Sequence, residues 1–133
     1  MNEKSNIIKQ WIEKADHDLG TAEIVFQHMP DYYDTIAFHC QQAVEKYLKA
    51  LLLFYDIEFR KSHSLIYLLD LLSIKIDIDQ EKYHNAIRLN SFGVQVRYPD
   101  KTFFLSREEL VTAIEVVTDF RDYVFEKIDK KYE

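Results

Sequence analysis

Apolar residues at helical spacing are densest between Asp34 and Tyr55, DTIAFHCQQAVEKYLKALLLFY. Ile36, Cys40, Ala43, Tyr47, Ala50 and Phe54 form one stripe there, and Ala37, Val44, Leu48, Leu51 and Leu52 form a second. A helix that avoids water over most of its circumference belongs at the centre of a fold. Its one polar strip is Gln41, Gln42, Glu45, Lys46 and Lys49, with Glu45 one turn ahead of Lys49 in the favourable order for an ion pair.

The remaining elements follow in order. Residues 5–28 carry Ile8, Ile12, Ala15, Leu19, Ala22 and Phe26 at alternating spacings of four and three, which predicts one amphipathic helix. Gly20 lies inside it, at a cost of about 1 kcal/mol relative to Ala that the helix is expected to tolerate. Met29-Pro30 breaks the pattern, and Asp31 or Asp34 is expected to cap the central helix, so the first two helices make an antiparallel hairpin. Residues 56–61 read as a loop. Ser62 or Ser64 caps a short third helix with Leu65, Leu68, Leu69 and Leu72 on one face. The alternating run Ser73–Asp79 has no second strand to pair with and reads as an extended loop. Asp79 caps a fourth helix, 80–93, with Tyr83, Ala86, Ile87 and Asn90 inward and Gly93 as its terminator. Residues 94–105 form a long loop. Ser106 and Glu109 make a capping box for a last helix through Leu110, Ala113, Val117, Phe120, Val124 and Ile128. The pattern predicts a single all-α domain over 1–133.

Composition agrees with that architecture. Only two Gly and two Pro occur among 133 residues, too few for the turns of an all-β chain, and a domain of this length needs no covalent staple. Cys40 stands alone inside an apolar helix and reads as a small buried side chain in a reducing compartment. No stretch resembles a signal peptide or a membrane span, so a cytoplasmic location is expected. The formal charge of −6 disfavours nonspecific nucleic-acid binding by the whole surface and leaves room for a local basic patch.

Three groups of residues can carry chemistry. Gln42, Glu45 and Lys49 project from one side of the central helix, where Lys can hold a phosphate while Gln and Glu orient a base; the same trio is also what a solvated or inter-helix polar seam looks like. Arg60, Lys61 and His63 precede the third helix, whose first N–H groups favour an anion, or else His63 packs against the helix start. Arg97, Tyr98 and Asp100 combine a guanidinium, an aromatic ring and a carboxylate, enough to clamp a phosphate and stack on a base, or to pair among themselves and hold the loop down. No metal ligand set is expected: His39 and His84 lack partners one turn away, and neither HExxH nor CxxC occurs. No cofactor is implied either, since there is no glycine-rich phosphate loop. The aromatic residues near helix ends, among them Tyr32, Tyr33, Tyr55, Phe59, Tyr67, Phe103 and Phe104, suit either a packing interface or a thickened core.

The segments AFHCQQAVEKYLKALL at 37–52, KSHSL at 61–65 and VRYPD at 96–100 together resemble the HEPN domain, and the helical order fits over nearly the whole chain. The resemblance implies an up-down antiparallel bundle of four to five helices, a homodimer, and a partner such as a minimal nucleotidyltransferase. It also implies binding of a nucleotide or RNA, or a metal-independent ribonuclease of the toxin–antitoxin kind, and a purely structural dimeric adaptor is a third reading of the same bundle. The ribonuclease branch places His a few residues after an Arg, and this sequence has no His in that window after either Arg88 or Arg97. If catalysis exists, the resemblance points to Arg97 with His63, and the bundle it implies predicts that Glu45, His63 and Arg97 converge.

Overall fold

The computed structural model describes the backbone of residues 2–97 and 104–132, with side chains for 2–92 and 104–129. It is all-α: α1 (Glu3–His28), α2 (Tyr33–Phe54), α3 (Leu65–Leu72), α4 (Gln80–Arg97) and α5 (Arg107–Tyr132). α2 touches each of the other four helices, and α1 packs chiefly on α2 with a lesser contact to α5. α1 and α2 run antiparallel, since Lys4 near the start of α1 donates to the Phe54 carbonyl at the end of α2. α5 runs beside α2 in the same sense, with Tyr33 against Phe104 and Tyr47 against Phe125.

Both apolar stripes of α2 are closed off from solvent: Ile36, Ala37, Cys40, Ala43, Val44, Tyr47, Leu48, Ala50, Leu51 and Leu52 are all fully buried. α1 contributes Ile8, Ala15, Leu19 and Ala22 to the same core, and α5 contributes Leu110, Ala113, Val117, Phe120 and Val124. No atom comes within 4 Å of a methyl group built on Gly20, so no backbone requires a glycine there.

The helix ends explain the boundaries. Ser64 Oγ accepts from the Tyr67 N–H, Asp79 Oδ1 accepts from the Lys82 N–H at 2.9 Å, and Ser106 and Glu109 exchange the two hydrogen bonds of a capping box. α2 ends in a Schellman turn, with the Ile57 N–H on the Leu52 carbonyl and the Asp56 N–H on Leu53. Asp56 takes the left-handed conformation that this turn needs, at φ 58°.

Several expectations are corrected. Neither Asp31 nor Asp34 caps α2; Tyr32 is the N-cap residue and its side chain makes no capping bond. The turn into α2 is closed by backbone, Tyr32 N–H to the Met29 carbonyl at 2.9 Å, and this turn places Tyr32 rather than an Asp at the cap position. Gly93 does not end α4, which continues to Arg97. A single glycine costs a helix only about 1 kcal/mol, whereas Pro99 in the sequence disfavours helical geometry at the residue before it. Ile87 points outward and is exposed; the inward line of α4 is Ala86, Leu89 and Phe92, at intervals of three. The segment 73–79 contains no strand, in line with the loop reading.

Candidate functional site

Residues 38, 42, 45 and 49 stack along one line of α2, with Gln41 at one edge of that line and His39 and Lys46 at the other. The edges meet different neighbours. On the Gln41 side lies the connection into α3, and on the His39 side lies α1.

Glu45 is the hub of the first edge. Its carboxylate is only 4% exposed, yet Oε2 accepts from Lys49 Nζ at 3.0 Å and Oε1 sits 3.0 Å from His63 Nδ1. Gln41 and Gln42 each place Nε2 3.5 Å from the same Oε1, and Gln41 also donates to the His63 carbonyl at 2.9 Å. A carboxylate only accepts, so His63 donates through Nδ1 and presents Nε2, which has no partner among the described residues. That ring is half exposed. Lys49 is itself buried and lies over the Trp11 ring of α1, 5.4 Å from its centroid.

The polar strip is therefore not the solvated face allowed for from its sequence. Gln41, Glu45 and Lys49 are all nearly inaccessible, and Glu45–Lys49 is a buried pair rather than a surface one. Burying two charges is tolerable because Glu45 has several hydrogen-bonding partners while Lys49 has Glu45 and the Trp11 ring, and no buried side-chain nitrogen or oxygen among the described residues lacks a partner.

A second carboxylate on α1 repeats the arrangement. Asp18 Oδ1 lies 2.8 Å from His39 Nδ1, and Oδ2 accepts from Lys46 Nζ. Asp18 and His39 have side-chain exposures of 12% and 25%, so the carboxylate is again the deeper partner. Nothing singled these two residues out in the sequence as a pair, because they are 21 positions apart. One signal was present: Asp18 interrupts the apolar line Ala15, Ala22 on a face that otherwise enters the core.

Asp16 turns the other way. It accepts from Tyr47 Oη and from Arg121 Nε at 3.2 Å, tying α1, α2 and α5 together. Burial, followed by the hydrogen bond to Asp16 and that group's charge, raises the Tyr47 phenol far above its ordinary value, outweighing Arg121. Burial likewise pushes the Cys40 thiol up to about 12, with Glu23 adding to the effect.

The start of α3 is less available to an anion than its sequence suggested. Its Leu65 N–H is taken by Asn90 Oδ1 of α4 at 2.9 Å and its Tyr67 N–H by Ser64. Arg60 lies over the Tyr67 ring, 4.3 Å from the centroid, and Lys61 is exposed with no partner among the described residues. Of the predicted site residues, Gln42, Glu45, Lys49 and His63 come together, and Lys61 lies two residues from His63. The backbone of Arg97 closes α4, while its side chain, Tyr98 and Asp100 lie outside the described residues, as does Phe103. Among the described residues no group of three or more His, Cys, Asp or Glu side chains could hold a metal ion. No helix among them is long and apolar enough to cross a membrane.

A cavity of about 760 Å³ opens at the far end of the α1–α2 pair between Glu3, Lys4, Ile7, Asp56, Glu58 and Phe59. Three carboxylates against one lysine make it a poor place for a phosphate.

The model of the HEPN domain matches residues 8–128, and the chain belongs to that family. Among solved structures it is similar to TT1696 from Thermus thermophilus, at 27% identity and a TM-score of 0.79, over 90% of this chain and 97% of that one. It is also similar to ST0689, an archaeal HEPN homologue, at 25% identity and a TM-score of 0.74, over 91% of this chain and 97% of that one. No curated protein matches the sequence.

Proposed function

We propose that this chain is a HEPN-type binding module that holds the phosphate of a nucleotide or nucleic acid on the α2 seam and works with a partner protein, for which a minimal nucleotidyltransferase in a toxin–antitoxin-like pair is the favoured candidate. The observation that carries this reading is Glu45, a buried carboxylate that fixes Lys49 on one side and a half-exposed imidazole on the other. Such a hub positions His63 without spending its outer nitrogen. Arg60 and Lys61, both exposed beside it, supply positive charge.

The chain acts as a homodimer in this reading. Tyr32 and Phe104 are 49% and 68% exposed, and such ring surface suits a helix-packing interface. Tyr33, Tyr55, Phe59 and Tyr67 instead pack against the core.

Titration of the protein with ATP and with short RNA, read from the emission of Trp11, tests the binding reading; the chain has only that one Trp. Saturable binding that His63→Ala weakens is expected, and no response to any nucleotide or RNA overturns it. Co-purification with a nucleotidyltransferase encoded beside it tests the partner, and light scattering tests the dimer.

The second reading, a metal-independent ribonuclease, is favoured by the same oriented imidazole. His63 would act as general acid or base and Arg97 would stabilise the charge developing on phosphorus. RNA cleavage in excess EDTA that is lost in both His63→Ala and Arg97→Ala is the expected outcome of that reading; intact RNA rejects it.

A further inference from the structure

We infer that the α1 edge of the seam, His39 with Asp18 and Lys46, is a second subsite and that it takes the ribose hydroxyl of the ligand whose phosphate lies against Arg60 and Lys61. This rests on the binding reading above and adds a sugar-specific contact to it. Asp18 accepts from His39 Nδ1, as Glu45 does from His63, so both rings turn Nε2 outward from a carboxylate that fixes their orientation. Neither Nε2 has a protein partner among the described residues.

The chemistry of that nitrogen selects the ligand. In the neutral ring Nδ1 is the donor, which makes Nε2 an acceptor. Phosphates, and the furanose oxygen of a sugar, are acceptors too. Along the backbone of a nucleotide the groups able to donate to His39 are the ribose hydroxyls, the 2′-hydroxyl being the one that distinguishes ribose from deoxyribose. The phosphate belongs on the other edge, on the exposed Arg60 and Lys61 rather than on the His63 ring, whose Nε2 is an acceptor by the same argument, and Lys46 is already engaged with Asp18.

Phe38 completes the arrangement. Its ring is 39% exposed and meets the His39 ring edge-on at 5.3 Å between centroids, leaving an aromatic surface beside the sugar position for a base. Phe38 and Glu45 are seven residues apart, about 10 Å along the helix axis. A single nucleotide can cover that stretch.

The test compares AMP with 2′-deoxy-AMP by Trp11 emission or calorimetry, using the full chain. AMP is expected to bind about tenfold more tightly, the range of one or two hydrogen bonds. His39→Ala should remove that preference by weakening AMP far more than 2′-deoxy-AMP, and Arg60→Ala with Lys61→Ala should weaken both ligands alike. Asp18→Asn, which keeps the shape of the side chain, should reduce the preference without abolishing binding. Should His39→Ala disturb folding by circular dichroism, His39→Gln, which can still offer an acceptor, is expected to retain part of the preference. Equal affinities in the unaltered protein, or an equal loss for both ligands in His39→Ala, overturn the sugar subsite and leave the phosphate site standing. Binding of neither ligand, nor of ATP or RNA, overturns both.

Discussion

Glu45 Oε1 lies 3.0 Å from Nδ1 of His63, a residue 18 positions further along the chain and in a different element. The contact joins one of the most enclosed charges in the bundle to one of its accessible imidazoles. Removing the carboxylate should therefore act on stability and on ligand binding together.

Glu45→Gln leaves Lys49 buried beside a neutral amide. A loss of about 3 kcal/mol in urea unfolding is expected, as for other buried pairs broken on one side. Adding Lys49→Met should recover part of it, since the uncompensated charge is then gone. A double variant less stable than Glu45→Gln would show that the pair is not the unit.

His63→Ala is expected to cost under about 1 kcal/mol, because its ring is half exposed and Glu45 keeps Lys49 and the two glutamines. A loss as large as that of Glu45→Gln would show that the imidazole is a structural keystone and would weaken its assignment as a ligand contact.

Alkaline stability follows chiefly from three strongly raised groups. Cys40, Tyr47 and Tyr123 have ordinary values of 9.0, 10.0 and 10.0, and each is raised in the fold chiefly by burial. The native state holds these protons more tightly, so their contribution is complete below about pH 9. It is lost as pH rises through 9 and 10 toward the folded values, when only the unfolded chain ionises. Tyr47→Phe should blunt that alkaline decline while costing about 1 kcal/mol at neutral pH for the bond to Asp16. An unchanged pH profile in this variant would contradict the assignment.

The Cys40 thiol, buried and pushed up to about 12, carries almost no thiolate at neutral pH. Its labelling by Ellman's reagent should match the rate of global or α1-linked opening rather than that of an exposed thiol. Rapid stoichiometric labelling of the native protein would refute this.

Gly20→Ala should stabilise the protein by about 0.5–1 kcal/mol, because the position is helical and a methyl group meets nothing within 4 Å. Destabilisation in thermal unfolding would mean that the added methyl group is not as free of contact as its position indicates.

The fold was readable because α2 announces itself. Two apolar stripes on one helix leave little choice but to surround it, and the caps at Ser64, Asp79 and Ser106 mark element starts by local chemistry alone. What failed locally was decided by neighbours. Asp31 and Asp34 have the right residue type for a cap, but the turn from Met29 puts Tyr32 at the cap position; Ile87 fits a helical face until Leu89 and Phe92 turn α4 by a different line. The site was half legible. Gln42, Glu45 and Lys49 share a face by spacing, while their contact with His63 came only with the family's bundle. Asp18 and His39 belong to separate helices, so no spacing within either could pair them.

α1 leans on α2 along one side and meets α5 only through a lesser contact that includes Asp16–Arg121, whereas α2 is gripped from every direction. Amide exchange should accordingly be slowest in α2, and α1 should open as a unit at a lower free energy than the whole molecule. Each such excursion would carry Asp18 and Trp11 away and briefly strip Lys46 and Lys49 of their cover. A ligand spanning both edges would clasp α1 shut, so occupancy ought to register as slowed exchange along an entire helix far longer than the footprint itself.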